Sequence, residues 1–122
     1  MKSLSLIVFT ILYAIPGMTQ DPVDGFIARV YEQSGKTIPY RLFIPPKYTK
    51  SKQYPLIVFL HGADGVGTDN VRQIQGDEAP GTHLWTKSNN VARRPAFILA
   101  PQSTGCWFSL SIVPDVISAL EA

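Results

Sequence analysis

A chain of 122 residues with 45% hydrophobic side chains, 16% charged ones, six Phe, five Tyr and two Trp can bury a core, which excludes a disordered polymer. Eleven basic against nine acidic residues give a formal net charge of +2, too small and too scattered along the sequence to read as a nucleic-acid surface. The length sets the expectation at one domain or less.

The first twenty residues, "MKSLSLIVFTILYAIPGMTQ", carry one basic residue, Lys2, then a largely apolar run from Leu4 to Ile15, then Pro16, Gly17 and small or polar residues. A membrane span needs about 20 apolar residues and this run breaks earlier. The pattern is that of a secretory signal peptide over residues 1–19, cleaved after Thr19, with a mature chain from Gln20 that is exported and keeps no membrane anchor; the alternative reading is a retained anchor. Export implies an oxidising compartment, yet Cys106 is the single cysteine, so no internal disulfide can form. It reads either as a buried free thiol or as the partner of a cysteine further along the protein.

The mature part opens with strands. "FIARVY" from Phe26 to Tyr31 alternates loosely, "EQSGK" supplies a turn around Ser34 and Gly35, and "TIPYRLFI" places Ile38, Tyr40, Leu42 and Ile44 on one face, an antiparallel hairpin. "PPKYTKSKQYP" is a polar, Pro-bounded connection. Leu56–Leu60, "LIVFL", and Ala96–Ala100, "AFILA", are apolar without alternation, as suits parallel strands covered on both faces. The roughly 35 residues between them leave room for a crossover helix, expected within 69–75 or 83–91 with Asp69 or Thr82 as its cap. The segment "SIVPDVISALEA" from Ser111 to Ala122 reads as the start of another helix, with Pro114 in its first turn and Val116, Ile117 and Leu120 at helical spacing.

A hairpin, a strand, a crossover, a parallel strand and a helix start describe the opening of an incomplete α/β sheet. Ligands bind at the carboxyl ends of such strands, and both "HGADGVGTDN" and "PQSTGCWFS" begin there, so the two loops share one face. In "LHGADG", a glycine after a buried strand turns the backbone sharply and exposes main-chain N–H groups able to hold a developing oxyanion. Taken alone, His-Gly after a strand is also what a plain turn looks like.

"YRLFIPPKY", "YPLIVFLHGADGVGTDN" and "RRPAFILAPQ", in this order and spacing, resemble the amino-terminal part of exported α/β-hydrolases of the carboxylesterase, phospholipase and dienelactone-hydrolase type, including predicted peptidases and polyhydroxybutyrate depolymerase-like esterases. The resemblance runs from about Phe26 onward. It implies that the backbone N–H of Ala63 is one oxyanion-hole donor, that His61 and Gly62 shape the loop, and that His61 is not the catalytic base. It further implies a Gly-X-Ser-X-Gly nucleophile elbow after the next strand, followed by the acid and the base. No such elbow occurs within these 122 residues, so the triad is expected after Ala122. On this reading the parent hydrolyses carboxylic esters of small-molecule, lipid or polyester type without metal or organic cofactor. The isolated 122-residue product is expected to be inactive and poorly soluble; a soluble, cooperatively unfolding monomer would overturn that.

Other residues leave two readings each. Trp107 follows the second parallel strand, where it either lines an acyl or alcohol pocket or packs against the following helix. His83 is either near substrate or an ordinary helix-start histidine. Asp64, Asp69, Asp77 and Glu78 match no metal-ligand spacing and read as solvated loop carboxylates. The rival function is a small exported, non-catalytic binding domain, including an anion or nucleotide binder built on "GADGVG", although neither the dinucleotide nor the P-loop spacing is present.

Overall fold

The computed structural model describes residues 22–33 and 35–105 together with Trp107, Pro114, Ile117 and Ser118. The leader over residues 1–19, Ser34 of the hairpin turn, Cys106 and most of the helix expected over 111–122 lie outside the described residues.

Strand β1 (Phe26–Gln33) pairs antiparallel with β2 (Lys36–Phe43), Phe26 opposite Phe43 and Gln33 opposite Lys36. This is the expected hairpin, and Gly35 takes the positive φ of +76° that its turn requires. Ile38, Tyr40 and Leu42 do share a buried face, but Ile44 does not join them: the strand stops at Phe43 and Ile44 is exposed. Two consecutive prolines, Pro45 and Pro46, explain the stop, since neither has an N–H to continue a ladder.

β3 (Leu56–Val58) and β4 (Phe97–Pro101) run parallel, Leu56 opposite Phe97 and Val58 opposite Leu99. The Phe59 N–H extends the ladder by one bond to the Leu99 carbonyl at 2.8 Å. β4 also pairs antiparallel with β2, so the sheet order is β1-β2-β4-β3 and β3 forms an edge among the described residues. Both faces of β4 are covered, as its unalternating apolar run requires. Ile98 and Ala100 pack with Phe26, Phe43 and Ile74 on one face, while Leu99 packs with Ile38, Tyr40 and Leu42 on the other. Ile117 joins that second face, and it is helical together with Pro114 and Ser118.

The crossover differs from the expectation of one helix. It descends through three short 3-10 turns, at Ala63–Gly65, Arg72–Ile74 and Gly76–Glu78, into α1 (Ala79–Thr86) and then α2 (Ser88–Arg93). Gln75 separates the second turn from the third, which opens on Gly76 at φ +56°. Pro80 lies in the first turn of α1, where its missing N–H costs nothing. Thr82 is therefore inside the helix rather than at its cap, donating its hydroxyl back to the Ala79 carbonyl. Asp69 is not the cap of a helix either: it lies two residues before Val71, the N-cap of the second 3-10 turn, and its Oδ1 accepts from the Val71 and Arg72 N–H groups at 2.9 and 3.1 Å. α1 lies hard against the sheet at Gly81, where a Cβ would stand 2.1 Å from the Phe59 ring.

Candidate active-site loops

The loop after β3 and the loop after β4 meet at the carboxyl end of the parallel pair. His61 is buried and joins them. Its Nε2 accepts the Ser103 N–H at 2.9 Å, while its Nδ1 lies 2.7 Å from the Gly62 carbonyl. An acceptor at Nε2 and a carbonyl facing Nδ1 together assign the tautomer that carries its proton on Nδ1. Both ring nitrogens are thus committed to backbone groups of the two loops. Trp107 closes the arrangement from above: its Nε1 donates to the His61 carbonyl at 2.8 Å and its ring meets the His61 ring edge-on at 4.6 Å. Gly65 lies beneath, where a Cβ would come within 2.4 Å of His61 Cβ and Cγ, so glycine is the residue that admits the imidazole.

Gly62 leads into the 3-10 turn in an extended conformation, φ −83° and ψ −159°. The turn closes through Gly65 N–H to the Gly62 carbonyl and Val66 N–H to the Ala63 carbonyl, both at 3.3 Å. The first N–H groups of such a turn have no intrahelical partner. Accordingly, the Ala63 and Asp64 N–H groups make no hydrogen bond among the described residues, and both residues are exposed. The Glu78 carboxylate stands beside Gly62, where a Cβ would lie 2.9 Å from its Oε1.

Beneath the loops runs a network of buried polar side chains that pattern reading did not single out. Gln102 accepts the Asn70 N–H at 2.5 Å and donates to the Gly65 carbonyl and to Asp69 Oδ1 at 3.1 and 2.9 Å. Asn70, at φ +54°, donates to the Arg29 and Tyr40 carbonyls at 3.3 Å and accepts from the Gln73 amide at 2.6 Å. Arg41 donates from Nε to the Asn70 carbonyl at 2.6 Å and from its guanidinium to the Phe26 carbonyl at 3.2 Å. Burial pulls the Arg41 guanidinium below its ordinary value, opposed by the Asp69 carboxylate. Burial alone would raise the Asp69 carboxyl. The Gln102 amide, the Arg72 and Val71 N–H groups and the Arg72 charge outweigh it and hold Asp69 below the usual carboxylate range. One atom of the network, Gln73 Oε1, is buried without a partner among the described residues.

The remaining candidates are dispersed. The His83 ring sits inside α1 between the Ala79 carbonyl, 2.9 Å from Nδ1, and the Asp24 carboxylate, 3.0 Å from Nε2, at the far end of the sheet from the loops. Asp64, Asp69, Asp77 and Glu78 form no group with metal-ligand geometry among the described residues.

A thermostable esterase of known crystal structure superposes on this chain with a TM-score of 0.70 and 33% identity, over 80% of this chain and 29% of the esterase. The fold is that of the amino-terminal portion of an α/β-hydrolase. The mixed four-stranded sheet, with its crossover between β3 and β4, is the part that corresponds. The chain spans less than a third of the esterase's length. No protein-family model matches the sequence, and no curated protein matches it.

Proposed function

We propose that this chain supplies the oxyanion-hole loop of an exported, serine-dependent carboxylic ester hydrolase, whose nucleophile, acid and base come from sequence following Ala122. The reading rests on one observation above the others: the N–H of the exposed residue Ala63, which has no hydrogen-bond partner among the described residues, at the carboxyl end of β3 in a loop tied down by His61. Preorganised N–H donors of this kind stabilise the tetrahedral oxyanion because they need not reorient as charge develops. Serine attacks the ester carbonyl, the oxyanion is held by Ala63 N–H and a second donor after the nucleophile, the alcohol leaves, and water releases the acid from the acyl enzyme. His61 orients the loop instead of moving protons, because both of its nitrogens are engaged by backbone groups. Similarity to a protein described as an esterase supports ester rather than peptide substrates. Residues 1–19 act as the export signal.

The test begins with the source DNA beyond the Ala122 codon. A reading frame that continues through a buried strand into Gly-X-Ser-X-Gly is expected, and its product should react with a fluorophosphonate; a stop codon there, or a full product that no fluorophosphonate labels, would sink the proposal. In the active protein, Ala63→Pro removes the donor at a position whose preceding residue is already extended, as proline requires. It should lower kcat about 10²–10³-fold with little change in KM, whereas Ala63→Ser should leave kcat within a few fold.

A further inference from the structure

The small net charge conceals a strong separation of charge along the strand axis. No acidic residue occurs from position 33 to 63 or from 79 to 114. The fold brings two parts of those stretches together at one pole. Residues 44–55 lead into β3, residues 86–96 lead into β4, and the Phe97 N–H bonds the Pro55 carbonyl at 2.9 Å. Lys47, Lys50, Lys52, Lys87, Arg93 and Arg94 all belong to this amino-end pole, all are exposed, and none makes an ion pair among the described residues. Lys47 and Lys52 line one cleft with Val91 and Pro95, which ties the two segments together. The single described carboxylate at this end is Asp24, just before β1, and His83 holds it. At the opposite pole the loops carry Asp64, Asp69, Asp77 and Glu78, with Arg72 paired to Asp69.

Exposed apolar side chains stand among these cations. Tyr48 adjoins Lys47, Ile44 precedes the same loop, and Leu84 and Trp85 line a second cleft with Arg93 and Arg94. A polyanion satisfies cations alone, whereas the interface of an anionic bilayer takes cations at the headgroups and aromatic or aliphatic side chains just below them.

We infer that the pole formed by residues 44–55 and 84–95 docks on anionic phospholipid surfaces through Lys47, Lys52, Arg93 and Arg94, with the candidate active-site loops facing away from the membrane into water. The loops at the carboxyl ends of β3 and β4 lie at the other end of the strands, so docking leaves them free for a water-borne substrate. This inference does not depend on the hydrolase reading.

It is tested by vesicle co-sedimentation of the protein expressed from its complete reading frame, using phosphatidylcholine vesicles with and without phosphatidylglycerol. Binding should require phosphatidylglycerol. Neutralising a cation near the surface should weaken it about fivefold, so K47Q/K52Q and R93Q/R94Q should each weaken it about 25-fold. R29Q/K36Q, the same charge change on the hairpin, should leave it within twofold. Should a double variant fail to fold, the unsubstituted protein decides through salt: binding should fall away between about 0.1 and 0.5 M as screening shortens. Binding indifferent to phosphatidylglycerol, or equal in all three variants, overturns the inference; so does binding to heparin or an oligonucleotide with none to the vesicles.

Discussion

The two ends of the β3–β4 pair are built by different means. At the carboxyl end, loops from separate strands are joined by directional bonds: His61 to Ser103, Trp107 to His61, Gln102 to Asn70 and Gly65. At the amino end, Tyr48, Tyr54 and Phe97 meet as tilted and edge-to-face rings with centroids 5.1 to 6.0 Å apart. Ring contacts tolerate small displacements, whereas buried hydrogen bonds lose most of their value when a partner moves. Backbone placement is thus specified tightly around the exposed Ala63–Asp64 turn and loosely where the surface is charged.

Substitutions can break this contrast, the largest effect coming first. Gly65→Ala drives a Cβ into His61, and no flexible side-chain end is there to yield; a loss of about 3 kcal/mol is expected from the urea midpoint, at the top of the range for overpacking. Gln102→Ala strands the Asn70 N–H in the interior and should cost about 2 kcal/mol. Tyr48→Ala, on the exposed ring of the amino end, should cost less than about 1 kcal/mol. A Tyr48 loss equal to that of Gln102 would remove the distinction between the two ends.

The smallest effect sharpens the comparison through pH. Asp69 has its folded pKa depressed, so its contribution is complete above the unfolded value, about 3.9, and is lost as pH falls through the folded one. Its side chain is 46% exposed, so screening keeps this contribution below about 1 kcal/mol. Asp69→Asn should flatten the acid limb of stability below about pH 4 and leave the neutral range nearly unchanged. An unaltered acid limb would show that Asp69 is not a linked group.

The strands were legible because apolar runs and a turn glycine are local signals. "AFILA" announces two-sided burial and the hairpin follows from alternation about Gly35, whereas "LIVFL" is covered only in part: its strand ends at Val58, half-buried at the sheet edge among the described residues, and Leu60 is exposed. The crossover was less so. Gly76 and Pro80 divide it into pieces too short for a helical period to develop, and the start of α1 at Ala79 displaced the expected cap at Thr82. Ile44 continues the period of its strand but is overruled by the prolines behind it. Least visible was the network of Arg41, Asn70, Gln73 and Gln102, because such residues ordinarily lie at the surface and only their mutual satisfaction permits burial. "YRLFIPP", "GTDN" and "APQ", segments that carry the resemblance, supply three of its members.

The contact between Trp107 and His61 also gives the molecule an optical reporter. The sequence holds two tryptophans, and the other, Trp85, is exposed on α1, so a solvated-indole emission is expected of it. Trp107 is half-buried, donates its N–H to the His61 carbonyl and touches the imidazole edge. With Trp85 replaced by phenylalanine, the remaining emission follows the separation of those two rings, so ligand-driven movement of the loop after β3 would be readable as a change in intensity and wavelength, with no label attached.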